Sequence, residues 1–153
     1  MENLNRYHLV QVIHEIVEKG TPFLGICLGL QILFERSEES PGVEGLGLLK
    51  GEILRIPDKE GLKIPHMGWN SIHLQNEGRL FKGIPQESYV YFVHSYYLKA
   101  EEEEIIKATT EYSTHIHASV EKGNLFACQF HPEKSSDLGL AILKNFAEIG
   151  EED

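Results

Sequence analysis

Gly25-Ile26-Cys27-Leu28-Gly29 is the stretch of the chain best suited to covalent chemistry. It has the form G-x-C-x-G, the thiol counterpart of the G-x-S-x-G nucleophile elbow, in which flanking glycines let the backbone turn sharply from strand to helix and leave the nucleophile at the tip. A helix beginning at Leu28 would aim its free N–H groups and positive dipole end at Cys27, favouring thiolate, and the Leu28 N–H is placed to hold an oxyanion. A thiol nucleophile needs a base. Gln129-Phe130-His131-Pro132-Glu133-Lys134-Ser135 offers His131 directly after an apolar strand. Pro132 fixes the chain there, and Glu133 can accept the imidazole N–H, holding the tautomer whose other nitrogen faces the thiol. Taken alone, Cys27 also reads as a buried structural cysteine and His131 as a loop histidine; together with Glu133 they read as a triad.

The elements around these residues follow from periodicity. Leu9, Ile13, Ile16 and Val17 share one face of a helix running from about Asn5 to Lys19, with Gly20 as its C-terminal cap and Thr21-Pro22 as its stop. Phe23-Leu24-Gly25-Ile26 is a short continuous apolar run, the pattern of a strand buried on both faces of a parallel sheet. A second helical pattern follows through Leu28, Gln31, Ile32 and Glu35, so Cys27 falls at a strand-to-helix junction. From Leu48 to Gln129 the character changes to strands and turns. Strands are expected near Lys50–Ile56, Leu62–Ile64, Ser71–Leu74, Tyr89–Tyr97, Ile105–Thr110, Ile116–Val120 and Leu125–Gln129. Hairpin turns are expected at Pro57–Gly61 and at Glu121–Asn124. A last helix spans Asp137 to Glu148, with Leu138, Ile142, Phe146 and Ile149 on one face and Ser136 or Asp137 as N-cap.

Composition removes several classes of function. The 153 residues suit one domain, and 41% hydrophobic residues with 14 glycines match a globular chain. A net charge of −10 argues against a nucleic-acid partner, because such binding relies on clustered Lys and Arg. No apolar run reaches the roughly 20 residues of a membrane span and no signal peptide is evident, so a cytoplasmic protein is expected. The acidic clusters around Glu38, Glu101 to Glu104 and the C-terminus are solvated surface. Two cysteines, Cys27 and Cys128, do not make a disulfide framework. His115 and His117 would share one face of a strand, without a third ligand at zinc-like spacing. His8, His14 and His73 have no partners in sequence, and Cys128 reads as a small core residue.

At the elbow and the late His-Pro-Glu, the chain resembles the class I glutamine amidotransferases. The resemblance implies an α/β fold: a flavodoxin-like parallel sheet flanked by helices, with additional antiparallel strands, as a single domain over 1–153. It makes Cys27 the nucleophile, His131 the general base and acid, and Glu133 the orienting carboxylate. Gln31, one helical turn past the thiol, and the backbone of Ser95 and Tyr96 would line the glutamine pocket. Within the superfamily, Pro65-His66-Met67-Gly68-Trp69-Asn70, Tyr91-Phe92-Val93-His94-Ser95-Tyr96-Tyr97, Leu33-Phe34-Glu35-Arg36-Ser37-Glu38-Glu39 and His131-Pro132-Glu133-Lys134-Ser135-Ser136 are similar to one branch, the glutaminase subunits of imidazole glycerol phosphate synthase. That branch hydrolyses glutamine and passes ammonia to a barrel-shaped cyclase subunit in histidine biosynthesis, with no nucleotide or metal cofactor. His66, Met67, Trp69, Asn70 and Lys134 would belong to or adjoin the face that meets the cyclase; on residue chemistry alone they read as a turn, a core aromatic and a surface lysine. The family's N-terminal strands and its Pro-Gly-rich loop, which carries the second oxyanion donor, have no counterpart here, and Met1 matches an internal position of the helix after that loop. Two further readings stay open: a non-catalytic cyclase-binding remnant, and the glutaminase domain of another amidotransferase. A cysteine peptidase would share the elbow and the histidine but gives no reason for Met67-Gly68-Trp69-Asn70 or Phe92-Val93-His94-Ser95.

Overall fold

The computed structural model describes residues 9–39, 42, 44–76 and 78–152. Helix α1 spans Leu9–Glu18; the start expected at Asn5 lies outside the described residues. Gly20 ends it in the left-handed region at φ 78°, donating to Val17 O while Thr21 N reaches back to Ile16 O, the paired bonds of a glycine-capped helix end. Val10, Ile13 and Val17 face the protein, whereas Leu9 stands 41% exposed.

Strand β1 (Phe23–Ile26) follows and pairs in parallel with β9 (Leu125–Cys128), Phe23 opposite Leu125 and Ile26 opposite Cys128. Helix α2 is only Leu28–Gln31. The longer helix expected through Glu35 does not form: Leu33 and Phe34 are wholly buried, and the chain turns into β2 (Arg36–Ser37). Strands β3 (Gly51–Arg55) and β6 (Tyr96–Ala100) complete a three-stranded sheet in the order β2-β3-β6.

The larger sheet has six strands in the order β1-β9-β8-β7-β4-β5. It includes β4 (His66–Leu74), β5 (Ser88–His94), β7 (Ile106–Tyr112) and β8 (Thr114–Lys122). Parallel pairing is confined to β1–β9 and, in the small sheet, β2–β3; the other pairs are antiparallel. The expected hairpin at Glu121–Asn124 joins β8 to β9, Lys122 opposite Leu125. The one expected at Pro57–Gly61 is not a hairpin, because β3 and β4 belong to different sheets. No strand forms at Leu62–Ile64, which precede a cis Ile64–Pro65 bond, and β4 starts at His66 rather than Ser71. The run Tyr89–Tyr97 is two strands in two sheets, broken at Ser95.

Alternation of side chains divides the core between the two faces of the large sheet. Leu24, Ile72, Val90, Phe92, Ala118, Phe126 and Cys128 pack on one face against Leu138, Ile142, Phe146 and Ile149 of helix α3 (Ser136–Glu152). Phe23, Val120, Leu125 and Ala127 pack on the other, with α1, α2 and the small sheet. Each wholly buried phenylalanine contributes about 1.5–3 kcal/mol relative to exposure. The sheet curls around the α3 side of the core far enough for its end strands to meet: the Cys27 thiol, after β1, lies 3.7 Å from the carbonyl of Val93 in β5.

Candidate active site

The elbow is built by one close approach. A Cβ on Gly25 would stand 2.6 Å from Gly29 O, so only glycine lets the strand pass the first turn of α2; a Cβ on Gly29 would meet nothing within 4 Å. The expectation that both glycines relieve a clash holds for Gly25 alone. Cys27 itself sits at φ 53°, ψ −104°, a backbone region a side chain rarely tolerates and one in which strain collects at functional sites. Its N–H donates to Cys128 O at 2.7 Å, which ties the elbow to β9.

The thiol is partly buried. It faces Val93 O at 3.7 Å and receives the Gln129 side-chain amide at 3.6 Å. Gln129 is fully buried, and its Oε1 accepts from Gln31 Nε2 at 3.3 Å. Gln31 Nε2 also reaches Tyr96 O at 3.3 Å, so Gln31 and the Tyr96 backbone lie together beside the elbow.

Burial pushes the Cys27 thiol above its ordinary value; the Leu28 N–H and the Gln129 amide pull it down, Glu133 adds to the rise and Lys134 opposes it. The helix end does act toward thiolate, as expected, but does not set the balance. A four-residue helix brings one N–H to bear on the sulfur, and desolvation outweighs it. Burial thus favours the neutral thiol over the thiolate. The Leu28 N–H is nonetheless directed at the Cys27 sulfur.

His131 follows β9 on a short turn, Pro132–Lys134. Its Nδ1 lies 2.5 Å from Glu133 Oε1, leaving Nε2 for proton transfer. Two backbone anchors fix the ring: His131 N donates to Tyr91 O at 2.9 Å, and Ser135 Oγ donates to His131 O at 2.6 Å while accepting Tyr91 N at 3.0 Å. Helix α3 is pressed against this turn, since a Cβ on Gly139 would stand 1.8 Å from Pro132 O. Glu133 and Lys134 lie within electrostatic reach of Cys27.

The residues expected to adjoin a partner are divided by strand alternation. Met67 and Trp69, 62% and 52% exposed, stand on the outer face of β4, where Trp69 packs edge-on against Tyr91 beside exposed Tyr89. His66 and Asn70 point to the inner face; His66 is 3% exposed and thus lies behind the surface. Cys128 is buried, its thiol pushed up to about 12 by desolvation, as suits a core residue. His115 pairs with Glu111, His117 accepts the Ala100 N–H at 3.0 Å, and His73 lies 3.2 Å from Glu87.

Sequence reasoning missed Gln129 and His94. Each is a polar side chain closing an apolar strand, and that is the legible signal, because a buried polar group demands partners.

A thiol elbow after β1 and a His-Glu pair after β9, the strand paired with it in a curled mixed sheet, are the elements of a cysteine hydrolase site of amidotransferase type. The model of the family glutamine amidotransferase class-I matches residues 3–149, and the chain belongs to that family. Its relatives specify the branch. It is 54% identical over 149 residues to the imidazole glycerol phosphate synthase subunit HisH of Moorella thermoacetica, covering 97% of this chain and 70% of that one. Similarity to the HisH subunits of Methanocaldococcus jannaschii and Aquifex aeolicus is 50% and 47%, covering 97% and 99% of this chain and 74% and 72% of theirs. Among solved structures, the fold is shared with a glutamine amidotransferase (TM-score 0.70, 19% identity, covering 97% of this chain and 71% of that one). It is shared too with a glutamine amidotransferase of Thermotoga maritima (TM-score 0.62, 22% identity, covering 96% and 56%).

Proposed function

We propose that this chain is the glutaminase subunit of an imidazole glycerol phosphate synthase, hydrolysing glutamine through a thioester on Cys27. The observation that carries the reading is the strained Cys27 elbow within electrostatic reach of Glu133, the carboxylate that holds Nδ1 of His131. His131 Nε2 takes the thiol proton as Sγ attacks the side-chain amide carbon of glutamine, and the Leu28 N–H stabilises the oxyanion. The C–N bond then breaks, with the same proton delivered to the departing ammonia. Water, deprotonated by His131, attacks the thioester; glutamate leaves and the thiol is restored. Gln31 and the Ser95–Tyr96 backbone border the glutamine pocket. No step calls for a metal or nucleotide.

Ammonia passes to a cyclase subunit. Met67, Trp69 and Tyr89 form an exposed apolar patch on the outer face of β4 and β5, the kind of surface that marks a protein interface, and Lys134 places a cation beside the active-site turn.

The test is ammonia release from glutamine by this chain with the cyclase, together with mass spectrometry after a diazo-ketone glutamine analogue. Hydrolysis and a single adduct on Cys27, both abolished in Cys27→Ala, are expected. Cyclase binding without hydrolysis or adduct would overturn the catalytic reading and leave a binding subunit.

A further inference from the structure

Two buried histidines unused by this mechanism lie in a row that ends at the glutamine pocket. The register of β4 and β5 sets His66 opposite His94. His94 Nδ1 lies 2.8 Å from Tyr96 O. A carbonyl has no hydrogen to give, so Nδ1 carries the proton and the Nε2 of the neutral ring is an acceptor. His66 Nδ1, 3.1 Å from that Nε2, is then the donor. This leaves His66 Nε2 to accept from Asn70 Nδ2 at 3.4 Å. Donation runs one way, from Asn70 through His66 and His94 to the Tyr96 carbonyl.

The rings have little freedom. His66 is stacked between Phe92 and Tyr112, with centroids 4.7 and 4.0 Å away. Burial, reinforced by His94, pulls His66 down to about 4. Burial likewise holds His94 at about 4, the Tyr96 carbonyl opposing and nearby His131 adding to the drop. Both rings therefore stay neutral, and a ring beside His131 adds no charge that would oppose the imidazolium needed for ammonia departure. The Tyr96 carbonyl that ends the row is the one held by Gln31, which also holds Gln129 beside the Cys27 thiol.

We propose that His66 and His94 are positioning residues of the glutaminase, a fixed pair of Nδ1–H tautomers that holds the Tyr96 carbonyl and, through it, Gln31 and Gln129 in register with Cys27. The role rests on the glutamine-hydrolysis reading of the site; the tautomers do not.

The full chain labelled with nitrogen-15 in histidine, its His66 and His94 signals assigned by their loss in His66→Phe and His94→Phe, decides the first half: both rings are expected to be protonated at Nδ1, and an Nε2–H tautomer at either overturns the pair. Kinetics with the cyclase decide the second. His94→Phe leaves Gln31 as the remaining side-chain donor to Tyr96 O and strands the His66 Nδ1–H, and KM for glutamine rises roughly tenfold, the scale of one buried polar group left unmet, while kcat falls less. His94→Asn, whose amide nitrogen can take the place of Nδ1, recovers most of the loss. His66→Phe keeps the stack and gives a smaller rise of the same kind. Equal defects in His94→Phe and His94→Asn, or a loss confined to kcat, would overturn the positioning role. Absence of hydrolysis by the unaltered chain counts against the glutaminase reading alone, and the tautomers still stand or fall by their spectra.

Discussion

Gly25 and Cys27 show how much of the site depends on single backbone positions. The close approach of Gly25 to Gly29 O leaves no room for a methyl group, whereas Gly29 has open space around its own Cα. Gly25→Ala is therefore expected to destabilise the fold by about 1–3 kcal/mol, and Gly29→Ala to shift it by less than about 0.5 kcal/mol. Urea unfolding of the two variants checks this, and equal effects would contradict the steric account. The elbow and the His131–Glu133 pair were legible because their residue types and neighbours advertise chemistry. The state of the thiol was not. It depends on the solvent that Val93, Gln129 and the His131 turn exclude, and these residues are far apart in sequence.

At the scale of elements, strands β4, β5 and β8 carry the burden of acid sensitivity. His66, His94 and His117 each have their protonation lowered to about 4, first by burial, from an ordinary 6.5. The folded rings refuse protons that the unfolded chain accepts. Their contribution to stability is thus full above about pH 6.5 and is lost as the pH falls toward about 4. The thermal midpoint is expected to drop across that window, and His66→Phe to give a shallower slope with pH; an unchanged slope would remove His66 from the account. The Glu121–Asn124 hairpin, the Gly20 cap and the apolar face of α3 were readable because each is written in local residue chemistry. The start of β4 was not, since His66, Gly68 and Asn70 beside Pro65 imitate a turn. Nor was the break at Ser95, because an unbroken apolar-aromatic run does not say which of two sheets each half joins.

Across the whole molecule, the curl of the six-stranded sheet makes the site. Strands β1 and β5 stand at opposite ends of the strand order, yet their C-terminal ends meet at Cys27 and Val93. Strand alternation puts Met67, Trp69 and Tyr89 on the outer face of that curl and His66 on the inner one. Trp69→Ala is expected to weaken cyclase binding by about 2 kcal/mol or more, as loss of a central aromatic anchor does, while leaving the thermal midpoint of the isolated chain nearly unchanged. Titration calorimetry and a melting curve together check both halves. By itself the sequence determined the His131–Glu133 pairing, the strand-to-helix junction that displays Cys27, and the two amphipathic helices, because elbows, caps and periodicity act within a few residues. Only the tertiary structure decided that burial pushes the Cys27 thiol up, that Gln129 and the Tyr96 carbonyl lie beside the elbow, and that His66 lies behind the face Trp69 presents. Desolvation, hydrogen-bond partners and sheet closure are set by segments up to about a hundred residues apart, and no local pattern records which of them will meet.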